Sequence, residues 1–166
     1  LMSTVAHELG HGIAGLMVGG SFVRMEVFAD GSGVAYTGGY DGRLARAIVS
    51  AGGLVGPAIA ATIAFGLARR ARSAQGGLIV IGALLALSVP LVVRNLFGAF
   101  YIGALAAIML GIGIRAKATV AQFTLLFVAV QLALSVFSRS DYLFVGNAEV
   151  GGAIHKSDVG QMADAL

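Results

Sequence analysis

Long apolar runs without a charged residue alternate along this chain with short clusters of charge. The four longest runs lie between Arg46 and Arg69, Arg72 and Arg94, Arg94 and Arg115, and Lys117 and Arg139. Each is close to the ~20 residues that a helix needs to cross the hydrocarbon core of a bilayer. We therefore predict membrane-spanning helices at roughly residues 47–68, 76–93, 96–114 and 118–138.

The first residues predict a further helix, over about residues 1–19, that ends at Gly19-Gly20, because glycine accepts the left-handed conformation that terminates helices. Leu9 to Val23 is free of charge and implies a fifth span. A spanning helix centred there would need roughly a dozen residues before Leu1. Since the tail also stops inside a predicted helix, we expect the chain to be truncated at its amino terminus and to be a fragment or a trimmed form of a longer protein.

The period then changes from helical to alternating. Alternation puts Val23, Met25 and Val27 on one face of a strand and charged residues on the other, and the sequence DGSG at 30–33 offers a turn before the next apolar run at 34–37. Alternation on both sides of a glycine-rich turn is typical of a β-hairpin. A short hairpin is therefore predicted directly after the first helix.

These elements indicate an all-α polytopic membrane protein, a single membrane-embedded domain over residues 1–166 with about five transmembrane helices and one short membrane-associated β-hairpin. Composition agrees, because 58% of the residues are hydrophobic, 11% are charged, and the mean hydropathy is +0.91. The net charge of +3 would also suit a nucleic-acid binder. The basic residues lie at the ends of spans, however, so we expect a lipid bilayer and no nucleic acid as partner.

Two of the histidines, His7 and His11, are four residues apart and enclose Glu8. On a helix such side chains project from one face, so both imidazoles can reach one metal ion. Glu8 points beside them, where a carboxylate can take a proton from a water molecule that the metal activates. The chain has no cysteine, so His, Asp and Glu are the available ligands. The motif is the general-base arrangement of a zinc hydrolase.

The cost of burying charge supports the same interpretation of Glu8. An ionised carboxylate in a membrane helix costs ~2.5–3.5 kcal/mol on insertion scales, so Glu8 should face a wet or metal-filled interior. Two alternatives stay open: a pair of histidines that pack between helices with satisfied hydrogen bonds, or a proton-relay cluster. The ligand spacing together with the placement of Glu8 favours the metal.

The order of these segments resembles the site-2 protease family of intramembrane zinc metalloproteases. The helix HELGHGIAGLMVGG is followed at once by the hairpin SFVRMEVFADGSGVAYT, then by the second span SAGGLVGPAIA and, far downstream, by an aspartate in GGAIHKSDVGQMA. The likeness covers most of the chain and is nearest to a compact bacterial branch without an inserted regulatory domain. Two positions depart from the family pattern: Ala60 stands in place of an asparagine, and Ser157-Asp158-Val159 in place of Leu-Asp-Gly.

The resemblance implies a zinc-dependent endopeptidase that hydrolyses peptide bonds of membrane-embedded helices in regulated intramembrane proteolysis. Its cofactor would be Zn²⁺, its general base Glu8, and its substrate a transmembrane protein. The family further implies a multi-pass protein of the bacterial cell membrane with the hairpin on the cytoplasmic side. The distribution of basic residues does not decide that orientation.

A hydrolytic zinc has three protein ligands and one open position, and the resemblance implies Asp158 as the third ligand beside the histidines. By sequence alone, Ser157 or Asp158 would be the N-cap of a final helix. Capping and ligation are compatible, since a helix N-terminus favours a carboxylate. His155 is the next candidate for the third ligand, followed by Glu149 and Asp141.

Two alternatives remain open, one for the role of the hairpin and one for the function of the protein. The hairpin could offer an exposed β-edge to an unwound substrate segment, or it could plug the membrane interface. A rival function is a non-proteolytic transporter or scaffold, descended from such a protease, that binds metal or protons through the histidines. Glu8 argues against this rival, because a metal carrier has no need of a base.

Overall fold

The computed structural model describes residues 1–138, 147–150 and 153–165, with side chains for 1–136 and 156–165. The elements, in chain order, are α1 (Met2–Met17), β1 (Ser21–Val27), β2 (Gly33–Gly38), α2 (Arg43–Ala68), α3 (Ala71–Leu91), α4 (Leu96–Arg115), α5 (Ala118–Ser138), β3 (Asn147–Val150), β4 (Ala153–Lys156) and α6 (Asp158–Ala165).

Four helices, α2 to α5, are long and apolar enough to cross a membrane, which confirms the four predicted spans. Large apolar side chains cover their outer surface, among them Leu96 (92% exposed), Phe100 (78%) and Phe123 (73%). A bilayer supplies apolar surroundings for such side chains. α1 has only 16 residues, so it is a shorter companion to these spans, and the predicted count of about five helices is close.

The helices form one bundle in which α2 packs on α1 and α5, and α3 packs on α5 and α4. Its apolar core includes Leu78, Ile102 and Leu125, all fully buried. The mostly helical architecture predicted from the sequence is confirmed. The core lies among the spanning helices and extends to α1 and to the first hairpin through Val5 and Met25.

β1 and β2 form the predicted antiparallel hairpin after α1. Met25 and Val27 are fully buried against the bundle, as the alternation predicts, but Val23 is 57% exposed, so its predicted place on the same face is wrong. The register shifts between Phe22 and Arg24. A β-bulge there adds one residue to β1 and breaks the alternation of faces, which turns Val23 outward.

One edge of this hairpin is covered by the connection between α3 and α4. The Met25 N–H donates to the Val92 carbonyl (2.8 Å), and the Arg94 N–H donates to the Met25 carbonyl (3.1 Å). The Asn95 side chain binds both the N–H and the carbonyl of Val27. Within the described ranges no backbone hydrogen bond joins the outer edge of β2 to another segment. β2 therefore carries the free edge.

A second hairpin, β3–β4, precedes α6 and was not predicted. Its strands are antiparallel with Val150 opposite Ala153, and the sequence between them is Gly-Gly, a two-residue hairpin signal. α6 packs against α2, and Arg43 Nε donates to the Ala165 carbonyl (2.7 Å). The tail thus returns to the amino-terminal end of α2, beside α1.

Candidate metal centre

Different faces of α1 meet different neighbours. Thr4 and Glu8 lie under β2: the Thr4 hydroxyl donates to a carbonyl of the hairpin turn (2.6 Å), and the backbone of Gly33 lies against both side chains. The face toward α2 includes Ala6, Gly10 and Ala14. His7 and His11 project between these two faces into a cleft.

Glycine allows α1 and α2 to approach until their backbones touch. A Cβ added at Gly52 would lie 2.7 Å from the Gly10 carbonyl oxygen, and one at Gly56 would lie 2.7 Å from that of Ala6. Neither distance is compatible with a side chain unless the helices separate. This contact holds the histidine-bearing helix at a fixed distance from α2.

The imidazole of His11 is fixed by two groups of α2. His11 Nδ1 lies 2.8 Å from the Val49 carbonyl oxygen. Because a carbonyl only accepts, Nδ1 carries the proton and Nε2 is left to bind a metal. Gly53 lies against the same ring, and a Cβ there would overlap it. α2 therefore sets both the tautomer and the position of this side chain.

At the start of α6, neighbouring residues divide the two roles that the sequence left open. The Gly160 N–H donates to Ser157 Oγ (3.1 Å), and the Gln161 N–H donates to the Ser157 carbonyl (2.8 Å). Ser157 is therefore the N-cap. Asp158 is the first residue of α6, and its carboxylate faces the histidines.

Three donor atoms converge at the cleft. His7 Nε2 lies 2.9 Å from Asp158 Oδ2, His11 Nε2 lies 3.2 Å from Asp158 Oδ1, and the two Nε2 atoms lie 3.2 Å apart. Ligands bound at 2.0–2.1 Å to a tetrahedral zinc are separated by about 3.3–3.4 Å. The observed spacings are close to this value, so the three side chains can share one ion.

The state of Asp158 also fits a cation. Its side chain is 6% exposed, and its Oδ2 has no hydrogen-bond partner, since His7 approaches it without hydrogen-bond geometry. An unsatisfied buried carboxylate oxygen is costly unless a cation or donor compensates it. Burial raises the pKa of Asp158, but the contacts with His11 and His7 outweigh burial and lower the pKa to about 2. The carboxylate is thus in the ionised form that binds metals.

Glu8 lies beside this cluster and is only 4% exposed. Glu8 and the three candidate ligands line a cleft of about 170 Å³, whose walls come from α1, β2, α2 and residues 156–161. A larger cavity of about 540 Å³, between the start of α1 and α5, has no acidic or basic side chain in its lining. Acidic and histidine side chains therefore line the smaller cleft and not the larger cavity.

The predicted ligands His7, His11 and Asp158 are brought together, with Glu8 in the same cleft. Their function as metal ligands and base stays a prediction. The alternative ligands cannot be placed: the side chains of His155 and Glu149, and the whole of Asp141, lie outside the described residues. Sequence reasoning did not assign site roles to the Val49 carbonyl, Gly53 or Gly33, which periodicity does not reveal.

Fold and site together define a polytopic membrane protein with a largely buried histidine–carboxylate cluster suited to a divalent cation. The chain belongs to the Peptidase M50B-like family, whose family model matches residues 1–166. The resemblance to the site-2 proteases is thereby confirmed, and with its four apolar helices the chain is an integral membrane protein. The comparisons with curated proteins and with solved structures found no match.

Proposed function

We propose that the protein is a zinc-dependent intramembrane endopeptidase that cleaves membrane-embedded helices of other proteins. The observation that carries this proposal is the convergence of three donor atoms in one cleft with the buried Glu8. Membership of a peptidase family supports the same activity. The bacterial cell membrane is the proposed location, on the resemblance to the compact bacterial branch.

In this proposal His7, His11 and Asp158 hold the metal, and Glu8 is the general base. When bound, zinc polarises the scissile carbonyl and allows water to lose a proton near neutral pH. Glu8 takes that proton and passes it to the amide nitrogen that leaves. Because Glu8 is 4% exposed, it works largely out of contact with bulk water.

Residues 33–37 of β2 supply the proposed seat for the substrate. A peptide bond inside a helix is shielded by the turns around it, so a segment of the substrate must become extended before cleavage. Residues of β2 between Gly33 and Thr37 line the cleft, and the outer edge of this strand has no strand partner among the described residues. An added substrate strand would satisfy its own backbone groups there, which a membrane otherwise penalises.

Glu8→Gln tests the proposal. Glu26→Gln is the matched control, because Glu26 lies on β1 and is not part of the cleft lining. With a helical membrane substrate, we expect Glu8→Gln to keep one equivalent of zinc and to lose at least about 10²-fold in turnover. Glu26→Gln should keep both. Cleavage by Glu8→Gln near the wild-type rate would contradict the general-base role. Metal transport into vesicles that survives Glu8→Gln, without cleavage by either protein, would support the carrier function instead.

A further inference from the structure

Gly33, the first residue of β2, is where the hairpin touches Glu8. An added Cβ at Gly33 would lie 2.6 Å from Thr4 Cγ2 and 3.0 Å from both Cγ and Oε1 of Glu8. Close-packed interiors do not tolerate such approaches without movement of one partner. The backbone of β2 therefore occupies the space beside the carboxylate and leaves no room for a methyl group.

The groups around this contact have little freedom to withdraw. Thr4 is 1% exposed, and its hydroxyl donates to the Gly31 carbonyl (2.6 Å). Val27, the partner of Gly33 across the hairpin, is fully buried and is bound by the Asn95 side chain. A methyl group at Gly33 would consequently displace the Glu8 side chain or lift β2 from α1.

Backbone conformation does not explain the glycine at this position. Gly31, in the turn, has a φ of 91° and nothing within 4 Å of an added Cβ, so its conformation accounts for it. Gly33 is not among the glycines with positive φ. The space taken by Thr4 and Glu8 is what excludes a side chain there.

We propose that Gly33 is a positioning residue that fixes the Glu8 carboxylate in the cleft. Its bare backbone forms the wall against which the base is held, so the strand that offers its edge to the substrate also sets the place of the base. The catalytic meaning of this role rests on the proposed function. The packing of Gly33 against Glu8 does not depend on that function.

Gly33→Ala tests the role, and Gly38→Ala is the matched control, because Gly38 lies on the same strand, has no positive φ, and has nothing within 4 Å of an added Cβ. We expect Gly33→Ala to keep one equivalent of zinc, to lower kcat about 10-fold and to change KM by less than about threefold. The loss is smaller than the about 10²-fold of a 1 Å misplacement, because Glu8 has to shift by a few tenths of an ångström. Gly38→Ala should behave as wild type. Equal losses in both variants, or none in Gly33→Ala, would overturn the proposal.

A second measurement needs no peptidase activity. In a Thr4→Ser background, which removes the Cγ2 contact, Gly33→Ala should lower the Tm of the metal-free protein by roughly 2–10 °C. When Glu8→Ala is also present, the same substitution should lower it by less than about 1 °C. If Gly33→Ala lowers the Tm equally with and without Glu8→Ala, the proposed packing of Gly33 against Glu8 is wrong. Unchanged cleavage by Glu8→Gln would instead overturn the proposed function, so the two failures are distinguishable.

Discussion

The α1–α2 interface and the α3–α5 bundle differ in what fills the space between their helices. At the interface, Gly10 and Gly52 bring two backbones into contact. In the bundle, glycine also brings α3 near α4, since a Cβ added at Gly82 would lie 3.0 Å from the backbone N of Leu110. The bundle adds large apolar side chains that are fully buried between its helices: Leu78, Ile102 and Leu125. The interface is therefore set by contacts between backbones, whereas in the bundle apolar side chains also fill volume.

The buried carboxylates are also distributed unequally between these two regions. Both buried carboxylates among the described residues, those of Glu8 and Asp158, lie at the α1 side of the molecule. The His11 ring is fixed there by Val49 and Gly53, backbone groups of α2 that cannot change rotamer. Glycine contacts thus set the geometry of the site, while apolar side chains supply the stability of the bundle. Substitutions in the two regions should therefore fail in different ways.

The largest effect is expected at the start of α6, where Asp158 and Ser157 are neighbours with different roles. Asp158→Ala should remove a ligand and abolish stoichiometric zinc binding and cleavage. Ser157→Ala should cost about 1 kcal/mol of stability, as loss of an N-cap does, and keep the zinc. Elemental analysis and thermal unfolding of both proteins check this. Full zinc content in Asp158→Ala would remove Asp158 from the site and make His155 the next residue to test.

A smaller effect is expected from Gly53→Ala in α2, because the new methyl group would overlap the His11 ring and displace it. We expect zinc affinity to fall about 10- to 100-fold, as for other groups that orient a ligand. Gly66→Ala is the control in the same helix, since nothing lies within 4 Å of an added Cβ there. Titration with a competing chelator measures both. If the two variants bind zinc equally, the site does not depend on the glycine contact.

The smallest effect on zinc is expected from the bundle. Leu125→Ala, at a fully buried position, should lower the free energy of unfolding by about 2–5 kcal/mol through the cavity it leaves. At temperatures where the variant is folded, zinc content and KM should match wild type. A loss of zinc from the folded variant would show that the two regions are coupled more closely than their packing indicates.

The spans, the first hairpin and the histidine pair could be predicted, because each depends on local patterns. Charge-free length predicts the spanning helices, and the four-residue spacing of His7 and His11 places their side chains on one helical face. Asp158 was different: the sequence alone allowed either a cap or a ligand. The prediction that Asp158 is a ligand rested on the resemblance to the site-2 proteases alone.

The remaining features depend on contacts between segments distant in sequence. The exposure of Val23 follows from a β-bulge that alternation does not encode. The roles of Gly33 and Gly53 depend on which side chain lies opposite them, which no local period reports. The second hairpin is an exception, because the Gly-Gly between Val150 and Ala153 was a signal in the sequence and was missed.

The most direct test of the central claim is the zinc content of the purified protein and of its His7→Ala and His11→Ala variants. Two remaining ligands cannot match the affinity of three in a preorganised site. We therefore predict one equivalent of zinc in the wild type and far less than one in each variant, with helical content unchanged by circular dichroism. A wild-type protein that takes up no zinc, or a full equivalent retained by either variant, would contradict the assignment of the metal centre.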